Sequence, residues 1–198
     1  VPAATISLIR VLLLPEILPM EEAKKVHEEG EREGRTSPPG TVAVAVPEPV
    51  RAHAFLALGK ACLRDKALAK ENVNVFVREL SVGSSAAIKS NALLILGDLC
   101  VRYTSLVERH VPAMARCLQD ESALIRRHAL ALISQLLLQD YLKWRGLLLH
   151  RYLAILVDKD VRVAEVADYM IFTPLLRKCP SLFVNHFVEA LVVLNGCV

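Results

Sequence analysis

From residue 50 onward the apolar positions follow two periods at once. The shorter is helical: Val107, Val111, Met114, Ala115 and Leu118 sit at offsets 0, 4, 7, 8 and 11, and Phe183, Phe187, Ala190, Leu191 and Leu194 repeat them. A period near 3.6 residues puts each set on one face of a helix. The longer period is a returning phrase. Val50-Arg51-Ala52-His53-Ala54 is echoed by Ile88-Lys89-Ser90-Asn91-Ala92, by Ile125-Arg126-Arg127-His128-Ala129 and, more loosely, by Val161-Arg162-Val163-Ala164-Glu165, with starts 38, 37 and 36 residues apart. The first three echoes each run into an apolar stretch that closes on a small residue, Gly59, Gly97 or Ser134. Phrase and run together predict the first helix of a unit, and the offset sets predict the second. A glycine inside a helix costs about 1 kcal/mol against alanine, so Gly59 and Gly97 predict a close approach, expected from the partner helix of the same unit. Helix pairs are predicted near 50–80, 85–119, 121–157 and 159–195. The turns fall at Ser81–Ser85, Asp120–Ser122 and Asp158–Asp160, and Leu58, Ile95, Leu96, Val111 and Leu132 are expected in the core. Ser105 and Glu108 have capping-box spacing, and Pro112 and Pro180 suit helix starts. Strand-like alternation is confined to Thr41–Val46, beside Pro47 and Pro49.

A two-helix unit of this length is close to the HEAT repeat, about 40 residues. The expected fold class is all-α, an α-α superhelix of HEAT repeats with about four helix pairs. Residues 50–198 make the array, and residues 1–20, through Ile6–Met20, are expected to hold a partial helix of a preceding repeat. Residues 21–49 are expected to be a mobile polar insertion or linker, because Glu21–Gly40 buries too little apolar surface to offset its ordering entropy. Ser37-Pro38 within it has the minimal form of a proline-directed phosphorylation site.

Composition refines this picture. Hydrophobic residues make up 54% and aromatics 5%, with a mean hydropathy of +0.38, yet no run reaches the roughly 18 to 20 uncharged residues of a bilayer span. Val1–Leu14 carries Arg10, and Ser181–Val198 contains Asn185, His186, Glu189 and Asn195. Internal solenoid repeats are apolar on both stacking faces, so the apolar run reaching Cys197 and Val198 is expected of a chain with a further repeat beyond it. Residues 1–49 hold five Lys/Arg against eight Asp/Glu, and residues 50–198 hold 19 against 13. A surplus near +6 permits contact with phosphates or acidic proteins but is far from a dense basic patch. The cysteines, Cys62, Cys100, Cys117, Cys179 and Cys197, show no C-x-x-C spacing and read as buried thiols.

No phosphate-loop, dinucleotide, zinc-protease or serine-elbow motif occurs, so no catalytic residue, cofactor or metal is assigned and the chain is not expected to be an enzyme. His53 and His128 recur at one repeat position, which repeat identity explains better than metal binding. The basic residues opening the first helices, Arg51, Lys89, Arg126 and Arg162, are expected to form a ladder with turn acids of adjacent repeats, among Asp120, Glu121, Asp158 and Asp160. Arg102, Lys143, Trp144, Arg145, Arg151, Arg177 and Lys178 lie near helix ends and are the candidate partner contacts, since Arg and Trp are enriched at interface hot spots. Packing between repeats is the competing reading for Trp144, and a solvated charge face for most of the others.

One stretch is more specific. Ser90-Asn91-Ala92-Leu93-Leu94-Ile95-Leu96-Gly97-Asp98-Leu99-Cys100-Val101-Arg102-Tyr103 resembles the R-S-N-x-x-x-x-x-G-D-L-x-x-R-Y/F signature of the condensin D-type HEAT subunit, with Lys89 in place of the usual Arg. Leu138-Gln139-Asp140-Tyr141-Leu142-Lys143-Trp144-Arg145-Gly146 is similar to the L-x-x-x-x-V-K-W-K-G pattern of the condensin II version, as are Pro49–Ala54 and Leu58–Leu63. The resemblance covers about residues 49–195. It implies a HEAT scaffold of a chromosome-organising ATPase complex, docked on the kleisin and other condensin subunits while the ATPase chemistry belongs to other chains. It further implies a nuclear, chromosomal role in mitotic condensation, with contacts to DNA and histone tails. Neither a membrane nor a small-molecule substrate is implied. A HEAT adaptor of transport or signalling type, such as a karyopherin, coat adaptor or phosphatase scaffold, is the alternative, because fold alone does not fix function.

Overall fold

The computed structural model describes residues 4–7, 9, 47–82 and 85–195, which contain no strand. The helices are α1 (Glu48–Arg64), α2 (Lys66–Val82), α3 (Ala86–Arg102), α4 (Thr104–Val107), α5 (Val111–Arg116), α6 (Ala123–Leu138), α7 (Gly146–Ala154), α8 (Val161–Met170), α9 (Leu176–Lys178) and α10 (Leu182–Leu194). A 3-10 turn at Glu108–His110 joins α4 to α5, and another at Cys117–Gln119 ends the same rod, so 104–119 is one bent helix. A π turn at Ile171–Leu175 joins α8 to α9 into a helix over 161–178. Four antiparallel pairs result, in step with the repeated phrase. First helices stack in the order α1, α3, α6, α8, and second helices in the order α2, α5, α7, α10. This is the two-layer HEAT superhelix expected from the 36 to 38-residue period.

Local chemistry explains most boundaries. Helix α1 begins at Glu48, two residues before Val50 and inside the segment expected as linker, because Pro49 sits in the first turn where no N–H is needed. Asp65 accepts from Ala67 N at 2.8 Å to start α2, and Asp160 accepts from Arg162 N at 3.0 Å to start α8. The capping box at Ser105 does not form: the helix starts at Thr104, whose hydroxyl donates to the Cys100 carbonyl at 2.8 Å. Pro112 has no N–H and its ring crowds the carbonyl four residues back, which fits the tightening to a 3-10 turn at 108–110. Pro174 has the same effect on 161–178, relieved by the wider π turn.

The core runs unbroken along the stack, with Leu58, Leu96, Leu99, Ile125 and Ile133 inaccessible and Ile95 at 5%. Val111 and Leu132 are only partly buried, contrary to expectation. Val111 lines an open groove described below, and Leu132 reaches across to Gly97 of the preceding repeat. A Cβ on Gly59 would lie 2.4 Å from Cγ1 of Ile95, and one on Gly97 would lie 2.4 Å from Cδ1 of Leu132. The close approach thus comes from the first helix of the next repeat, not from the partner helix of the same unit. At the third position Ser134 replaces glycine. Its hydroxyl donates to the Leu130 carbonyl at 2.6 Å and also bonds the Tyr152 hydroxyl, inside its own pair.

The face of α10 is present but largely uncovered. Leu182 is buried and Phe183 stacks on Phe172, whereas Phe187 and Leu191 are 62% and 53% exposed because α10 packs chiefly on α7. Near the other end, residues 4–7 and 9 are helical, with Ile6 and Ile9 against the core. The rest of Ile6–Met20, the expected insertion up to residue 46 with Ser37 and Thr41–Val46, and Cys197 lie outside the described residues.

Candidate functional site

The stack has two long edges with different chemistry. At one edge the first helices begin. There Lys89 Nζ lies 2.8 Å from Asp120 Oδ2, and Arg126 holds Asp158 through two bonds, Nε to Oδ2 at 2.6 Å and Nη2 to Oδ1 at 2.7 Å. Arg126 Nη1 also donates to the carbonyls of Asp120 and Glu121, at 2.9 and 3.0 Å. Each aspartate further accepts a backbone N–H, Asp120 from Ser122 and Asp158 from Asp160. Side-chain exposure of the Arg126 and Asp158 pair is 7% and 6%. The Arg126 hydrogen bond, working against burial, holds the Asp158 carboxyl below the usual aspartate range. For Asp120, burial pushes the pKa up but is outweighed by Lys89, the Ser122 N–H and Arg126, so the net shift is also down. For the other two positions, the segment 81–85 offers Arg51 no acid, and Arg162 is exposed.

The first helices end at the other edge, where most of the candidate contacts fall. Arg102 is exposed with its guanidinium 5.6 Å from the centre of the Tyr103 ring, and the Tyr103 hydroxyl donates to the Leu63 carbonyl at 3.2 Å. Trp144 is packed, edge-on to Tyr152 at 5.4 Å between ring centres. Lys178 donates to the Leu138 carbonyl at 2.6 Å and meets Asp140 Oδ2 at 2.6 Å. It thereby finishes the end of α6, where Asp140 takes the left-handed conformation (φ 62°) that glycine usually supplies. Arg145 pairs with Glu108 at 3.0 Å, both well exposed. Lys143 and Arg177 are exposed. Arg151 stands apart, on the outer face of the second helices, donating to the Pro112 carbonyl at 3.0 Å.

A groove lies beside Pro112, between the 104–119 helix and the 140–148 segment. Its volume is about 540 Å³. Val111, Pro112, Ala115, Leu142, Leu147 and Leu148 make its apolar surface, with Glu108, Asp140, Lys143 and Arg145 around the mouth. Arg151 reaches the groove's edge through its bond to the Pro112 carbonyl, while Arg116 lines a separate pocket with Lys89, Asp120 and Glu121. Burial, then the charge of Arg116, holds the Arg151 pKa down. The sequence reading missed Arg116 although Arg78 precedes it by 38 residues, one repeat, in the preceding second helix; only the first helices had been aligned by phrase.

Chemistry elsewhere is quiet. Burial pushes the Cys100 and Cys117 thiols up to about 11, with help from Glu108 and Asp120 respectively, and the Tyr152 hydroxyl up to about 12. His53 bonds the Pro49 carbonyl at 2.7 Å and His128 bonds Ser90 at 2.6 Å. Nε2 of buried His150, 3.7 Å from Glu189, has no hydrogen bond.

A family model described as non-SMC mitotic condensation complex subunit 1 matches residues 87–197, and one described as condensin-2 complex subunit D3-like HEAT repeats matches residues 1–80. Condensin-2 complex subunit D3 of Mus musculus is 34% identical over 152 residues, 77% of this chain and 10% of the relative. Condensin-2 complex subunit D3-L of Xenopus laevis is 37% identical over 150 residues, 76% of this chain and 10% of the relative. Condensin-2 complex subunit CAP-D3 of Arabidopsis thaliana is 38% identical over 143 residues, 72% of this chain and 11% of the relative. The chain therefore spans about a tenth of the length of the curated relatives it matches. With its helix pairs in HEAT register and one family model matched over more than half of its length, the chain belongs to the condensin D-type HEAT-repeat subunits.

Proposed function

We propose that this chain is a non-catalytic scaffold segment of a condensin complex, docking on the kleisin and other condensin subunits in the nucleus, on chromosomes, during mitotic condensation. One observation carries the reading: relatives named as condensin-2 subunits align over 143 to 152 residues, a length comparable to the four-pair array. The side-chain chemistry agrees with a scaffold: burial holds the Cys100 and Cys117 thiols protonated, and Ser90, hydrogen-bonded to His128, is itself buried. Residues 50–198 act as the array, 1–20 as the end of an earlier repeat, and 21–49 as a polar linker apart from the first turn of α1. DNA is a secondary partner, met at Lys143, Arg177 and Arg102 on the edge where first helices end, and histone tails, which are cationic, are a further partner met at carboxylates rather than at these residues. Arg145, Arg151 and Lys178 are more heavily committed to contacts within the chain.

The test is co-precipitation of the 198-residue chain with fragments tiling a condensin kleisin, with a kleisin from a cohesin-type complex as control. Retention of one condensin fragment and not of the control is expected. Failure of every condensin fragment, with the chain folded by circular dichroism, sinks the docking reading.

A further inference from the structure

Among the described residues, Nε2 of His150 is the one buried side-chain nitrogen or oxygen without a hydrogen bond. The His150 side chain, on α7, is 8% exposed, and the acid it meets stands across a helix interface: Glu189 Oε1 of α10, 3.7 Å away. That is too long for a hydrogen bond but close enough for an ion pair once the ring carries a proton. Glu189 is 48% exposed, so its carboxylate can move, and its other oxygen lies 3.3 Å from His186 Nδ1 on the same helix. The rest of α10 is thinly held. Leu182 is buried and Phe183 stacks on Phe172, both at the start of the helix, while Val184, Phe187, Val188 and Leu191 are exposed. Glu189 meets α7 from the middle of α10, beyond that aromatic anchor. The remaining titratable groups on elements packed against α7 have other roles. Arg116 of α5 is exposed, and burial keeps the Cys117 thiol of the 117–119 turn protonated. On α6, which reaches α7 through Ser134, Arg126 holds Asp158, His128 bonds Ser90 and Arg127 is exposed. On α7 itself, Arg151 bonds the Pro112 carbonyl and Tyr152 bonds Ser134.

We propose that His150 and Glu189 form a proton-dependent clasp that holds α10 on α7. With the ring neutral, Nε2 stays without a partner inside the interface. Proton uptake sets an N–H of the imidazolium opposite the carboxylate, and a charge-assisted bond draws the two helices together. Histidines ordinarily titrate between about pH 5 and 8, a range in which glutamate is ionised. The clasp is therefore made at the acid end of that range and lost as pH rises through it. Glu189 decides the direction: without it the same proton leaves an unpaired charge in a buried site, and α10 loosens. His186 draws on the same carboxylate from within α10, so its protonation joins nothing to α7. The clasp belongs to the packing of the array and stands or falls independently of kleisin capture.

The test is hydrogen exchange of the 198-residue chain, followed by mass spectrometry at about pH 7.5 and about pH 5.5 with intrinsic rates divided out. Helix α2, which carries no histidine, is the internal reference. Protection of the α10 amides should rise by about threefold at the lower pH, the size expected of a pair with one half-exposed member. Glu189→Gln should remove the rise or reverse it, and His150→Gln should remove it, while His186→Gln keeps most of it. Glu189→Gln alters a half-exposed position, so it keeps the test decisive should His150→Gln fail to fold. Equal protection of α10 at the two pH values in the parent overturns the clasp, as does a rise in Glu189→Gln as large as the parent's. A rise that His186→Gln removes and His150→Gln leaves also overturns it, because the proton then acts within α10 rather than across the interface.

Discussion

Gly59 and Gly97 show what one residue does in a stack of helices and how far it can be read in advance. A missing Cβ announces that something comes close without naming it, so the neighbour, Ile95 or Leu132 of the next repeat, became visible only once the helices were placed. The two contacts look alike but differ in what can yield. Ile95 is 5% exposed and boxed in, whereas Leu132 is partly exposed and can swing outward. Alanine gains about 1 kcal/mol of helix propensity over glycine, and overpacking costs about 1 to 3 kcal/mol where nothing moves. Gly59→Ala should therefore destabilise by about 1 kcal/mol net, while Gly97→Ala stays within about 0.5 kcal/mol of the parent. Urea melts of the two variants decide it, and equal losses would show that the surroundings of Ile95 relax as easily as those of Leu132.

Between elements, the Arg126 and Asp158 rung joins α6 to the turn before α8, and it was legible because the phrase places a basic residue and the next turn places an acid 31 residues on from Lys89 and 32 from Arg126. The phrase alone does not tell which rungs close: it places the same basic residue at Arg162, which is exposed. Removing one member of a buried pair leaves an uncompensated charge and costs about 3 to 5 kcal/mol, so Arg126→Met should lower stability by that order at neutral pH. Because the folded Asp158 pKa is depressed, its contribution is complete above the unfolded value, about 3.9. It is lost as pH falls through the lower folded value. The gap between parent and Arg126→Met should accordingly narrow below about pH 4, with the parent melting temperature falling more steeply than that of the variant. A gap constant from pH 7 to pH 2 would exclude Asp158 as the partner that matters. Pro112, read as suited to a helix start, stands in the first turn of α5; the 3-10 turn at 108–110 that joins α5 to α4 was not legible.

At the scale of the molecule, the four-pair stack followed from a period that survives substitution, while the groove did not. Its walls come from segments some 30 residues apart, and an aliphatic cleft leaves no motif in either. The candidate contact residues fared unevenly for the same reason. Lys178 looks free in sequence but closes α6 through the Leu138 carbonyl and Asp140, 38 or more residues away. A surplus near +6 over four repeats neutralises few phosphates at once, so duplex DNA should bind the chain weakly, without sequence preference, and be lost at moderate salt. Lys143→Glu with Arg177→Glu should remove what binding exists and leave the melt unchanged. Adding Lys178→Glu should lower the melting temperature as well, by setting a carboxylate against carbonyls and Asp140. Titration at two salt concentrations with parallel melts tests both halves, and tight salt-resistant binding would move the nucleic-acid surface elsewhere.

The uncovered side of α10 governs how this polypeptide behaves as a solute. Val184, Phe187, Val188 and Leu191 hold a greasy strip against water, and two strips that meet release that water at roughly 25 cal/mol per Å². Sulfate strengthens such sticking by being excluded from protein surface, while the same ions screen the cations at the edges. One salt thus pushes the two ends of this chain's chemistry in opposite directions, bringing copies together through α10 as it loosens the grip of Lys143 and Arg177 on anything anionic.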